Sequence, residues 1–190
     1  MQNILVPIGF TENAQNTLQY AIDFAAETNA KVFVFRAYSA PTKMGTIINV
    51  NNIIERETNL YLRTMVNSLD KKNVEIKLIS AKGSVVDSVV SIDDELGIDL
   101  VIIGAKSNSI REEIFLGKTA GSLVKQTDVP LLTVPENYQY IPIKNILLAF
   151  KSGILKSKTA LHPLQNIVKK FNAQVNLLLV KTPNYEQEDL

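Results

Sequence analysis

Short runs of branched apolar residues alternate, from residue 3 to residue 134, with longer stretches in which apolar positions recur every three or four residues. Asn3–Ile8 is such a run, stopped by Gly9, as expected of a strand buried on both faces. Thr11 is placed to cap a helix over Asn13–Thr28, where Ala14, Leu18, Ala21, Ile22 and Ala25 share one face. Lys31–Tyr38 is the second strand, and Ser39–Gly45 reads as a loop. Near-heptad spacing of Ile54, Tyr61, Met65 and Leu69 predicts a helix from Val50 to Asp70, with Glu55, Arg56, Glu57 and Arg63 on its other side. Val74–Ser80 alternates like a strand. Ser84 with Asp87 resembles a capping box, so a helix should start there, bury Val86, Val89 and Val90, and end near Gly97. Ile98–Ile103 is a fourth strand ending at Gly104. A loop, Gly117 and a further helix follow, then a short strand, Leu131–Val134, between Pro130 and Pro135. Prolines cannot donate to a ladder, which places that strand at an edge.

This order is βαβαβαβαβ. Crossovers are right-handed and helices must cover both faces, so the economical architecture is α/β, a doubly wound five-stranded parallel sheet. The chain then starts again. Ile143–Phe150 repeats Gln2–Gly9 and Phe171–Val180 repeats Glu27–Arg36, at offsets of 142 residues in the first pair and 143 or 144 in the second. Such spacing marks a partial βαβ repeat of a whole domain. The expected organisation is a complete domain over 1–136, a linker over 137–142, a partial second domain over 143–182 and a tail over 183–190. Within the repeat, Pro163–Lys170 reads as a short helix burying Leu164, Ile167 and Val168.

Charge and composition narrow the function classes. Twenty basic against 19 acidic side chains leave a net charge of +1, so no global field draws the chain to nucleic acid or anionic membrane. The absence of cysteine excludes thiol catalysis, disulfides and thiolate metal sites. No leader-like segment opens the sequence and no apolar run is long enough to span a bilayer, so a cytoplasmic protein without nucleic-acid or membrane partners is expected.

Candidate chemistry concentrates between Asp99 and Pro135, where strand, glycine, loop, glycine and helix follow one another as in many nucleotide sites. Gly117-Lys118-Thr119 looks like the end of a P-loop, but the glycine that motif needs five residues earlier is Glu112, and Ile114, Phe115 and Leu116 are too bulky for a tight cradle. A looser pattern fits: Gly104, two residues, Ser107, nine residues, Gly117. With the NILVPI, DLVIIGAK and VPLLTVP strands in this order, residues 1–135 resemble the universal stress protein family, and residues 143 to about 180 resemble the start of a second such domain in a tandem member.

That resemblance implies a Rossmann-like fold with strand order 3-2-1-4-5 and a site for ATP or AMP between the loops after strands 1 and 4. It implies as site residues Ile8 and Gly9 near the base, Ala37 at the end of strand 2, and Ile103, Gly104, Lys106, Ser107, Gly117, Lys118 and Thr119 along the phosphate loop. Nucleotide-binding members carry Gly-x-x-Gly, nine residues, then Gly followed by Ser or Thr, so Ser107 replaces a glycine and Lys118 a hydroxyl residue. Gly9 stands where an aspartate is common. Lys118 in the first turn of a helix opposes the helix dipole and would be relieved by a bound phosphate.

The other candidates are weak. His162 is the only histidine and has no visible second ligand or triad partner. Adjacent acids at Glu112-Glu113 and Asp93-Asp94-Glu95 point apart on a helix. The loop after strand 1, Gly9-Phe10-Thr11-Glu12, lacks the Ser-Gly-Gly pattern of an ATP pyrophosphatase and the Ser/Thr-rich pattern of a flavodoxin. No nucleophile, acid–base pair or metal set is visible, so the chain is expected not to be an enzyme and to hold no metal. Two readings stand: a stress-response protein that binds an adenine nucleotide, and an interaction module that has lost it. In either, a homodimer is expected, motivated by the exposed edge of the fifth strand.

Overall fold

In the computed structural model, residues 1–11, 13–39, 50–105, 117–150 and 158–179 are described. Strands β1 (Asn3–Pro7), β2 (Lys31–Tyr38), β3 (Ile76–Lys82), β4 (Leu100–Gly104) and β5 (Leu131–Val134) form one parallel sheet in the order β3-β2-β1-β4-β5. The doubly wound sheet expected from the alternation is therefore present, with β5 at an edge. Ile4, Leu5, Val6, Val32, Val34 and Ile102 are fully buried, which is why the central strands read as unbroken apolar runs.

Helices α1 (Ala14–Thr28), α2 (Val50–Asn67), α3 (Val85–Leu96) and α4 (Gly117–Gln126) supply the two outer layers. One core joins Leu5, Phe33, Phe35, Val101 and Ile103 to Val89 and Ile92 of α3 and Ala120 and Leu123 of α4. Side chains alternate along a strand, so Ile4, Val6, Val34 and Arg36 turn to the opposite face, toward α1 and α2. Residue for residue, Asn3 to Pro7 pair with Lys31 to Phe35, while Ile4 and Leu5 pair with Leu100 and Val101 on the other side.

Local chemistry sets the boundaries. Ser84 caps α3: its Oγ accepts from Asp87 N–H at 3.1 Å while its hydroxyl donates to the Asp87 carboxylate at 2.6 Å. Gly97 ends that helix at φ 62°, a left-handed position that favours glycine. Several expectations are corrected. Thr11 offers no side-chain cap to α1; its carbonyl takes the Ala14 N–H at 3.0 Å instead. Helix α2 stops at Asn67, and its buried line is Thr58, Leu62 and Val66, with the Ile54–Leu69 stripe half-buried beside it. Lys72 and Asn73 take positive φ in the turn that follows, so β3 starts at Ile76 rather than Val74. Val90 is exposed and Ile92 is buried in its stead.

Tyr138 and Tyr140, which fall in the expected linker, pack on α1. The Tyr140 ring lies 5.3 Å from that of Tyr20 and 6.3 Å from that of Phe24, and Asn16 Nδ2 donates to Tyr138 O at 3.3 Å.

Two compact units divide the chain, Met1–Tyr140 and Ile141–Leu190. In the second, β6 (Asn145–Phe150) pairs parallel with β7 (Gln174–Leu179), and a 3-10 turn at Lys158–Leu161 leads into α5 (His162–Phe171). Its construction parallels β1-α1-β2 in detail. Asn29 and Asn172 each end a helix in the left-handed region, at φ 54° and 49°. The next residues, Ala30 and Ala173, are buried and donate N–H to the carbonyls of Ala25 and Val168 at 3.0 and 3.2 Å. Lys31 N–H then reaches Gln2 O, and Gln174 N–H reaches Lys144 O. The packing differs: no side chain of α5 is buried, so Leu164, Ile167 and Val168 are half-covered rather than core.

Candidate functional site

At β1 the sheet order reverses: the crossover through α1 leads to β2 on one side, and the later crossover through α3 brings β4 to the other. The loops leaving β1 and β4 diverge from this point, which makes the crevice at the carboxyl ends of open α/β sheets. Here a side chain ties them together. Asn13, entering α1, donates Nδ2–H to the carbonyl of Ala105, just beyond β4, at 3.4 Å.

Ile8 is buried, and its N–H donates to Phe35 O at 2.8 Å, holding the end of β1 against β2. Gly9 is exposed, and its carbonyl accepts from the Tyr61 hydroxyl at 3.3 Å. A Cβ added there would meet only Thr11 Cγ2, at 3.8 Å. Gly104 differs: a Cβ would sit 2.6 Å from Thr17 Oγ1 and 3.0 Å from Asn13 Nδ2. The first turn of α1 therefore requires this glycine, whatever binds nearby.

Continuing the β1–β4 register sets Ile8 opposite Gly104, so those site residues share one edge. Ala37, at the end of β2, packs against the α3–α4 core, and Ile103 is part of that core, its side chain buried there. Gly117 is the first residue of α4, and Lys118 and Thr119 in the same turn are exposed. Lys106 and Ser107 lie outside the described residues.

A cluster that the sequence reading passed over borders this edge on the β2 side. Arg36 is 6% exposed, the only buried charged residue among those described. Its guanidinium carbon lies 3.2 Å from the centroid of the Phe10 ring and 4.5 Å from that of Tyr61, whose own rings meet edge to face at 5.2 Å. Burial pushes the guanidinium below its ordinary pKa and the Tyr61 hydroxyl partly offsets this, yet arginine stays protonated in such settings. A cation inside the apolar run KVFVFRAY was the available signal.

Among the described residues, no group of three or more histidine, cysteine or acidic side chains is placed to hold a metal, and no helix is long and apolar enough to cross a membrane.

Comparison with known proteins agrees with this fold. Universal stress protein G of Shigella flexneri and its counterpart in Escherichia coli O157:H7 are each 35% identical over 81 residues, which is 43% of this chain and 56% of theirs. The chain thus matches little more than half the length of these relatives. Among solved structures, a universal stress protein in complex with cAMP superposes with a TM-score of 0.57 at 20% identity, covering 70% of this chain and 96% of that one. One from Archaeoglobus fulgidus in complex with dAMP gives 0.50 at 19%, covering 70% and 97%. At these identities the likeness establishes the fold. The family assignment comes from the sequence profile, which spans the whole first sheet: residues 1–135 match that of the universal stress proteins, and the chain belongs to that family.

Proposed function

We propose that the protein is a stress-response protein that binds an adenine nucleotide, ATP or AMP, in the crevice between the loops after β1 and β4, and acts as a binding module rather than an enzyme. The observation that carries this reading is the joining of those two loops by Asn13 and Ala105 at the reversal point of the sheet. Two structural neighbours are complexes with cAMP and dAMP, adenine nucleotides both, which supports the ligand class. Exposed Lys118 in the first turn of α4 offers a cation to a phosphate at the helix N-terminus, where free N–H groups also point.

Thermal melting with and without about 5 mM AMP or ATP tests the reading. A dissociation constant a hundredfold below the ligand concentration stabilises by about 2.7 kcal/mol, a shift of several degrees. Gly9→Asp sharpens the test, because the open space there accepts a side chain without strain and the carboxylate supplies an acceptor for base or ribose. It should raise the nucleotide-dependent shift. No shift in either protein sinks the reading.

A second reading, a dimerising interaction module, is favoured by one feature, the outer edge of β5, which has no strand partner among the described residues. Sedimentation equilibrium should then show a homodimer whose mass is insensitive to nucleotide.

A further inference from the structure

The Arg36 guanidinium holds a buried N–H group that meets no acceptor among the described residues. It carries five N–H donors, and Nη1 is shut away from water with no hydrogen-bond partner among the described residues. Buried charges persist where they are paired, or where a pairing group arrives. Phe10 and Tyr61 present ring faces, which attract the cation but accept no hydrogen bond in its plane. The Tyr61 hydroxyl donates to the Gly9 carbonyl while its oxygen serves another part of the guanidinium, which leaves Nη1 unmet.

Phe10 itself is 83% exposed, so the apolar burial that would hold its ring over the guanidinium is slight. The stack also lies at the carboxyl edge of the sheet, since Phe10 follows Gly9 and Arg36 follows the residue that accepts the Ile8 N–H. A built donor thus lies under a ring that can swing away, on the flank of the crevice.

We propose that Arg36 is an oxyanion receptor on the β2 side of the switch-point crevice, and that Phe10 is the lid which a phosphate or carboxylate group displaces to reach it. This deepens the nucleotide reading and rests on it only for the identity of the whole ligand, because the receptor answers to an anion alone. A ligand engaging both ends would carry one anionic group toward α4 and a second toward β2.

Calorimetric titration with inorganic pyrophosphate, citrate, adenosine and AMP tests this on the full chain. Pyrophosphate and citrate separate phosphate from carboxylate as the preferred anion, and binding of at least one is expected. Arg36→Met keeps the stem that packs beneath the rings and should weaken anion binding at least tenfold. Phe10→Ala removes the competing ring and should tighten it about threefold or more. Equal anion affinity in wild type and a folded Arg36→Met overturns the proposal, as does binding of neither anion at about 20 mM by wild type and Phe10→Ala alike. Should Arg36→Met fail to fold by circular dichroism, Phe10→Ala decides: unchanged affinity means the stack is structural only. Adenosine separates the two ideas. Its failure to bind, together with AMP binding no more tightly than pyrophosphate or citrate, refutes the nucleotide reading and leaves the receptor standing.

Discussion

Replacing Gly104 by alanine tests the contact that governs how α1 meets the end of β4. The new Cβ would lie 2.6 Å from Thr17 Oγ1, well inside a van der Waals contact. Thr17 is 2% exposed and its hydroxyl already donates to Asn13 O at 2.9 Å, so it can turn away only by surrendering that bond, worth about 1 kcal/mol. The alternative is to lift the helix from the sheet, which strains a well-packed core by about 1–3 kcal/mol. The expected cost of Gly104→Ala is therefore about 2 kcal/mol. With a urea m-value of about 2 kcal/mol/M, the midpoint followed by far-UV circular dichroism should fall by about 1 M. Thr17→Ala clears the space at a cost of its own of about 1 kcal/mol, and the double variant should be little worse than Thr17→Ala alone. Gly9→Ala is the control, and its open surroundings predict a change within about 0.5 kcal/mol. Additive costs of the two substitutions, or a Gly104→Ala variant as stable as wild type, would refute the close approach.

Two further outcomes follow from local structure. Ser84→Ala removes both halves of the α3 cap and should cost about 1 kcal/mol in the same urea assay. Burial, and then the nearby Glu27, Tyr20 and Asp23, push the Tyr140 phenol well above its ordinary range, and its hydroxyl is buried without a partner among the described residues. A group raised on folding contributes stability that is complete below its unfolded pKa of about 10 and is lost as pH rises beyond that. Melting temperature should therefore drop above pH of about 10, and Tyr140→Phe should flatten that drop while leaving the neutral-pH value unchanged or higher.

The sheet was legible because its central strands are buried on both faces and so read as unbroken apolar runs, and the caps at Ser84 and Gly97 were legible because their chemistry is local. Helix α2 was misread by one step: Thr58 is buried yet polar, so the apolar stripe beside it drew the eye. Spacing alone linked Gly104 to ligand binding, but its tight neighbours, Asn13 and Thr17, lie some ninety residues away in sequence, and no pattern in one segment records such a contact. Arg36 was missed for the same reason. Its partners come from a loop and from α2, and only the fold brings them over it.

The corner from α1 into β2 has a consequence for Arg36. Asn29 in the left-handed region and buried Ala30 turn the chain in two residues, and Lys31 at once engages Gln2 O. The length of that corner therefore sets the phase of everything after it. One residue inserted at position 30 would shift β2 by a half-period, handing the core face to Arg36 and turning Phe35 toward the aromatic pair. A two-residue turn thus decides whether the cation stands at the crevice or inside the α3–α4 core.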